Sequence, residues 1–276
     1  MSKRETAKKK AVAKKITPWE IVQIARDAGR PVISDFIAGM CSDFVELHGD
    51  RAFGDDQGMI GGFATIGGER VMLMGQRKGK TVDENIAYNF GMANPEGYRK
   101  ALRLMKLAEK YGLPVVSLVD TPGAYPGLDA EARGQAEAIA RNLTEMAGLR
   151  TPVIVVVTGE GGSGGALGIA VGDVVMMLQN AIYSVISPEG CASILWRDGT
   201  KAPDAAAALK ITAESLLKLG VIDEVIAEPA GAAHSDPAKT IEAVKKAVLK
   251  WLVELKKIDT DTLVQRRYDK FAAMGR

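Results

Sequence analysis

The chain has 276 residues, 47% of them hydrophobic, so it can bury a substantial core and suits one large domain. Residues 1–15 carry Lys3, Arg4, Lys8, Lys9, Lys10, Lys14 and Lys15 against Glu5; with +6 there and +2 overall, the remainder carries −4, and the basic balance is no argument for nucleic-acid binding by the folded body. No apolar run approaches the roughly 20 residues that span a bilayer and no hydrophobic leader opens the chain, so a cytoplasmic protein without a membrane segment is expected.

Residues 1–16 read as a basic flexible tail. Thr17-Pro18-Trp19-Glu20 then starts a helix, with Thr17 as N-cap, Pro18 at the first helical position and Glu20 completing a capping box; Ile21, Ile24 and Ala25 share a face. Met59 to Gln76 holds two strands around Ile66-Gly67-Gly68-Glu69, the composition of a hairpin turn. Gly75-Gln76-Arg77-Lys78-Gly79-Lys80-Thr81 resembles a phosphate loop, but three residues separate its glycines where four are needed, so it reads as a solvated basic loop. Pro95 opens a helix that ends near Gly112-Leu113-Pro114. Val115 to Val119 is a buried parallel strand, followed by Asp120-Thr121-Pro122-Gly123-Ala124-Tyr125-Pro126-Gly127 and a helix from Glu131 to Ala147.

The plan then repeats: a strand from Val153 to Val157, a loop with five glycines between Gly159 and Gly165, and a short helix from Gly165 to Val171. Val174 to Leu178 and Tyr183 to Ile186 are further strands, and Ser187-Pro188-Glu189-Gly190 starts a helix in which Glu189 serves the dipole or the cap. From Ala238 to Ile258, Ile241, Val244, Val248, Trp251, Leu252 and Leu255 form one stripe, suited to core packing or to a partner subunit. Alternating strands and helices indicate an α/β protein with a mainly parallel core, whose ligands collect beyond the carboxyl ends of the strands. Both glycine-bearing loops lie there. Cys41 and Cys191 form no CxxC pair and read as packing thiols, and two histidines leave no metal cluster to propose.

The glycine loop satisfies two motifs. Gly159-x-Gly161-x-x-Gly164 fits a dinucleotide fingerprint, but the acidic residue expected after the next strand is missing, since Leu178-Gln179-Asn180 stands there. Gly161-x-Ser163-x-Gly165 fits a nucleophile elbow, and Ser163, Asp173 or Asp223, and His234 follow the hydrolase order, with His48 as the other histidine. Against a triad, His234 lies in what reads as an exposed connection, and Ser163 is also simply a small residue that permits a tight turn. What both motifs share is backbone: N–H groups at Gly164 and Gly165, at a helix start, aimed at an oxygen that becomes negative during reaction.

The segments Asn89 to Met92, Pro95 to Ala101, Asp120 to Gly127, Arg133-Gly134-Gln135, Glu160 to Leu167 and Ser187 to Trp196 resemble the carboxyltransferase alpha subunits of bacterial-type acetyl-coenzyme A carboxylase, a biotin-dependent carboxyltransferase family. The likeness runs from about Thr17 to Tyr268 and implies one carboxyltransferase domain over 17–276 with the ClpP/crotonase-like fold, an α/β superhelix of ββα units with N- and C-terminal helices. It implies transfer of a carboxyl group from carboxybiotin, on a biotin carboxyl carrier protein, to acetyl-coenzyme A, giving malonyl-coenzyme A for fatty acid synthesis, with no metal on this chain. A beta subunit completes the site in an α2β2 heterotetramer, and biotin carboxylase joins the full complex. Carried onto this chain, Gly164 and Gly165 hold the biotin ureido oxygen, and biotin itself takes the acetyl α-proton. Gly161 and Gly162, with Gly123 and Ala124 opposite, line the biotin side; Arg133 contacts a carboxylate or thioester, its structural alternative being a surface ion pair. A propionyl-coenzyme A carboxyltransferase and a Ser163 hydrolase are the alternatives. Two departures stand out: a short lysine-rich N-terminus, and Gly75-Gln76-Arg77-Lys78 in place of the family's glycine-histidine-glutamine-lysine run.

Overall fold

The computed structural model describes residues 16–275, and the basic segment 1–15, read as a tail, lies outside them. Thr17 caps α1 (Pro18–Ala25) with both halves of the capping box in place, and the helix buries Val22 and Ala25 against Ile182, Ala206 and Ile211. Then α2 (Ile33–Met40) feeds β1 (Cys41–Glu46), which pairs antiparallel with β2 (Met59–Ile66), itself antiparallel to β3 (Glu69–Gln76). The β2–β3 turn is the expected one: Gly67 and Gly68 take φ of 57° and 86°, the left-handed pair whose twist matches a two-residue hairpin.

From β3 the sheet becomes parallel. It continues through β4 (Val115–Thr121), β5 (Val153–Gly162), β6 (Val174–Leu178) and, at its far edge, β8 (Glu224–Ile226), while β7 (Ile182–Ser184) pairs with the last three residues of β5. Every residue of β4 is buried, as an apolar run covered on both faces requires. The helices are α3 (Val82–Ala87), α4 (Pro95–Tyr111), α5 (Leu128–Ala132), α6 (Gln135–Ala147), α7 (Ser163–Leu167), α8 (Pro188–Trp196), α9 (Ala202–Leu209), α10 (Ala213–Lys218), α11 (Pro237–Leu255) and α12 (Thr260–Ala273). As expected, α4 ends at Gly112, which is left-handed, and Ser187 caps α8 by accepting a hydrogen bond from Gly190 N–H.

Three expectations are corrected. The helix read from Glu131 to Ala147 is two, because Gly134 takes φ 83° and breaks it; Arg133 closes α5, and its carbonyl accepts from Arg99. The strand read as ending at Val157 runs on to Gly162, since Gly161 and Gly162 have no side chains to stop them pairing with Tyr183 and Ser184. The strand read as Tyr183–Ile186 is correspondingly β7, Ile182–Ser184, and a further strand, β8, follows it. For the stripe on α11, core packing is what forms: Ile241, Val244, Val248, Leu252 and Leu255 are buried in the main apolar cluster. Behind it, the buried Arg267 of α12 pairs with Asp173 at 2.8 Å and donates to the carbonyls of Met146, Leu149 and Thr151, which fastens the C-terminus to α6 and β6. Among the described residues, no helix is long and apolar enough to cross a membrane.

Candidate active site

Adjacent strands β4 and β5 end side by side, and their two loops touch through backbone. A Cβ on Gly162 would lie less than 3.0 Å from the Pro122 carbonyl, and one on Gly165 less than 3.0 Å from the Gly123–Ala124 peptide. Only glycine permits this approach. Gly164 differs: a Cβ there would meet nothing nearer than Ile139 of α6 at 3.7 Å. In the first turn of α7 the N–H groups of Gly164 and Gly165 have no helical acceptor behind them, and Ser163 begins that turn with φ 50°. Opposite, Thr121 Oγ1 accepts from Gly123 N–H at 3.1 Å, whereas Ala124 N–H meets no acceptor among the described residues.

The turn rests on a charge network that links five distant stretches of chain. Asp120 accepts from Glu160 N–H at 2.9 Å and lies so close to Gly159 that a Cβ there would collide with its carboxylate. Lys78 Nζ bridges Asp120 at 2.7 Å and Glu160 at 3.1 Å; Arg26 binds the other oxygen of Glu160 at 2.7 Å and Glu189 at 2.6 Å. Burial alone would raise the Glu160 carboxyl, but the Lys78 and Arg26 charges outweigh it and hold the group below its ordinary value. Burial would likewise lower Lys78, and the two carboxylates raise it instead. Glu189 sits in the first turn of α8 as expected, and there its Arg26 bond outweighs burial and lowers its pKa.

This corrects the reading of Gln76 to Lys80 as a solvated loop. Gln76 is 1% exposed, and its amide donates to the Gly165 carbonyl at 3.0 Å while accepting from Asp120 N–H at 3.2 Å. Only Lys80, paired with Asp35, reaches the surface as expected. The residues that sequence reasoning missed are thus Arg26, Gln76, Lys78, Asp120 and Glu160. The sequence could have signalled only the need for a cation, from two acids near the ends of neighbouring buried strands, and not which residue supplies it.

Two cavities flank Ser163. A cleft of about 50 Å³ is lined by Arg26, Pro122, Glu160 to Ser163 and the start of α8, and an apolar cavity of about 330 Å³ lies among Leu167, Tyr183, Leu209, Ile211 and Phe271. Neither histidine accompanies the serine. His234 lies near Asp27, 3.7 Å away, in a separate depression; Asp173 is held by Arg267, Asp223 by Lys270 and Val175 N–H, and His48 by Asp55. The triad is not assembled. Arg133 forms the ion pair weighed as its alternative, binding Glu96 at 3.0 Å and lying over the Phe53 ring at 4.7 Å, and it lines neither cavity. Of the two cysteines, Cys191 is buried as expected, while Cys41 is only partly so.

A family model described as "Acetyl co-enzyme A carboxylase carboxyltransferase-like" matches residues 1–275. The acetyl-coenzyme A carboxylase carboxyl transferase subunit alpha of Geobacter metallireducens is 54% identical over 276 residues, covering 100% of this chain and 87% of that protein. Its counterpart from Chlamydia trachomatis is 55% identical over 275 residues, covering 100% and 85%. Among solved structures, transcarboxylase 12S, a hexamer with methylmalonyl-coenzyme A and methylmalonic acid bound, is similar with a TM-score of 0.66 at 21% identity; 87% of this chain matches 46% of that one, so this chain spans under half its length. The Pseudomonas malonate decarboxylase MdcD-MdcE heterodimer gives a TM-score of 0.60 at 15% identity, over 72% and 81%. These two likenesses show the fold, which is the expected crotonase-like α/β architecture.

Proposed function

The chain belongs to the acetyl-coenzyme A carboxylase carboxyltransferase family, and on that premise we propose that the paired loops of β4 and β5 are its half of the reaction site. It is an alpha subunit: an enzyme component that transfers a carboxyl group from carboxybiotin to acetyl-coenzyme A to give malonyl-coenzyme A, and it works with a beta subunit. The observation that carries the site assignment is the backbone contact itself. Gly162 and Gly165 press against Pro122 to Ala124 with no side chain between, and Gly161, Gly162 and Ser163, the residues that lead into the first turn of α7, line the small cleft in front of that contact. A small planar polar group recognised through backbone donors suits such a wall, so the residues fit the ureido ring of biotin.

Carboxybiotin supplies the carboxyl group when bound and, once that group has left, a basic ureido function for the acetyl α-proton. The chain's own work is electrostatic. The N–H groups of Gly164 and Gly165 stabilise the oxygen that gains charge, each such donor contributing roughly 10² to 10³ in rate. Ala124 N–H, which meets no acceptor among the described residues, adds a donor from the opposite loop, and Gly123, Gly161 and Gly162 keep the wall narrow. Arg133 is assigned to holding Glu96 where α5 breaks rather than to a substrate carboxylate. The same reading gives residues 17–276 as one catalytic domain in an α2β2 assembly, with the carrier protein delivering biotin and biotin carboxylase completing a cytoplasmic complex. Two unpaired thiols, Cys41 and Cys191, suit that reducing compartment.

The test is reconstitution. Purified chain mixed with a competent beta subunit, carboxylated carrier protein and acetyl-coenzyme A is expected to form malonyl-coenzyme A, and no product under those conditions would sink the assignment. In the same assay Ser163→Ala should keep kcat within a few-fold of wild type, because no histidine stands ready to activate the hydroxyl. A collapse of activity there would return the serine to the chemistry.

A further inference from the structure

The β3–β4 ladder stops at Gly75 opposite Leu118, and the β4–β5 register shifts between Val119 and Thr121. β3 and β4 stop pairing there, and the side chain of Gln76 bridges them. Its amide oxygen takes the Asp120 N–H, replacing a ladder bond, and its amide nitrogen crosses to the carbonyl of Gly165 on α7. Tyr98 O–H reaches that same carbonyl at 3.2 Å, and the opposite side of Gly165 is walled by Gly123 and Ala124. Gly165 is therefore fixed on three sides.

We propose that Gln76 is a positioning residue for carboxyl transfer, one that anchors the Gly165–Ala166 peptide by its carbonyl and through it holds the preceding turn, with the N–H groups of Gly164 and Gly165, against the Pro122–Ala124 wall. The inference rests on the functional reading above and adds a residue to it. The role demands one donor and one acceptor on a single short, flat side chain, in a place closed to water. An amide meets that demand at every pH, because it does not titrate. The ionisable groups around it are Asp120 on β4, Glu160 on β5, Lys78 beyond the end of β3, Arg26 on α1 and Tyr98 on α4. Burial raises the Tyr98 hydroxyl far out of the neutral range.

Three substitutions read the role in the reconstituted complex, with thermal melting and beta-subunit binding measured alongside. Gln76→Leu removes donor and acceptor and is expected to lower kcat about 10-fold at every pH with KM for acetyl-coenzyme A unchanged, since misplacing the donors acts on the transition state. Gln76→His can donate to Gly165 and accept from Asp120 only as neutral imidazole, so it should approach wild-type kcat in mildly alkaline buffer and lose it as pH falls. Gln76→Glu can do both only when protonated, so its kcat should rise as pH falls. Opposite slopes for the two, relative to wild type, support the role even where the leucine variant does not fold. If both follow the wild-type profile, or if the folded leucine variant keeps its kcat, the role is wrong while the functional reading stands. A wild-type complex that makes no malonyl-coenzyme A overturns both.

Discussion

Gly162→Ala and Gly165→Ala are expected to lower carboxyl transfer at least about 100-fold, while Gly164→Ala, between them in the same turn, leaves it within a few-fold of wild type. A Cβ at 162 or 165 would meet rigid backbone, the Pro122 carbonyl or the Gly123–Ala124 peptide, at less than 3.0 Å. No side chain can rotate away there, so the two loops must separate. Displacing donors by about 1 Å is enough for a loss of that size. At 164 the added methyl finds Ile139 at 3.7 Å, an ordinary packing distance, and alanine in a helix is favoured over glycine by about 1 kcal/mol. The N–H that the proposed function assigns to Gly164 is retained. Measurement requires kcat in the reconstituted complex together with melting of each chain, because the 162 and 165 variants should also melt lower. Equal losses at 164 and 165 would mean that room at the turn, and not its backbone donors, is what the reaction uses.

The parts of this molecule that could be read from sequence are those decided within about ten residues. The capping box at Thr17, the Gly67-Gly68 hairpin and the glycine stop of α4 each follow from local backbone preferences, and the Val115–Val119 and Val153–Val157 runs declare buried parallel strands. The break at Arg133–Gly134 was legible but overridden by the helical periodicity on both sides of it. Other features depended on topology. The extension of β5 through its glycines is made by β7, more than twenty residues further on. Lys78 lies in a glycine- and lysine-rich stretch that has every local mark of a solvated loop, and it is partly buried because the chain leaving β3 carries its ammonium group to Asp120 on β4 and Glu160 on β5. The glycine loops at the strand ends could thus be located, because they are made by local backbone geometry. The network that holds them could not, because its members lie 40 to 163 residues apart.

That network gives the other large effect. Lys78→Met should destabilise the chain by about 3–5 kcal/mol near neutral pH, because it leaves the largely buried Asp120 and Glu160 without their shared cation. For a domain of this size that corresponds to a melting temperature lower by roughly 10 °C. The dependence on pH carries the diagnosis. In the wild type Glu160 is held below its ordinary value, so its contribution is present above the unfolded carboxylate value and is lost as pH falls through the folded one. Lys78 is held above its ordinary value, so its contribution is present below the unfolded lysine value and is lost as pH rises through the folded one. At neutral pH both are in force. Without Lys78 the burial of Glu160 is opposed only by Arg26, its carboxyl moves upward, and the folded state comes to bind a proton more readily than the unfolded chain. The deficit should therefore be largest at pH 7 to 8 and should narrow as pH falls toward 5. Adding Glu160→Gln to Lys78→Met should recover part of the loss by removing the stranded charge, so that the double variant is more stable than the sum of the single ones predicts. Melting curves of the four chains across that range decide the matter: a deficit that stays constant with pH, or a double variant that is merely additive, would show that Lys78 stabilises the turn by packing its methylene stem and not by neutralising the acids beneath it.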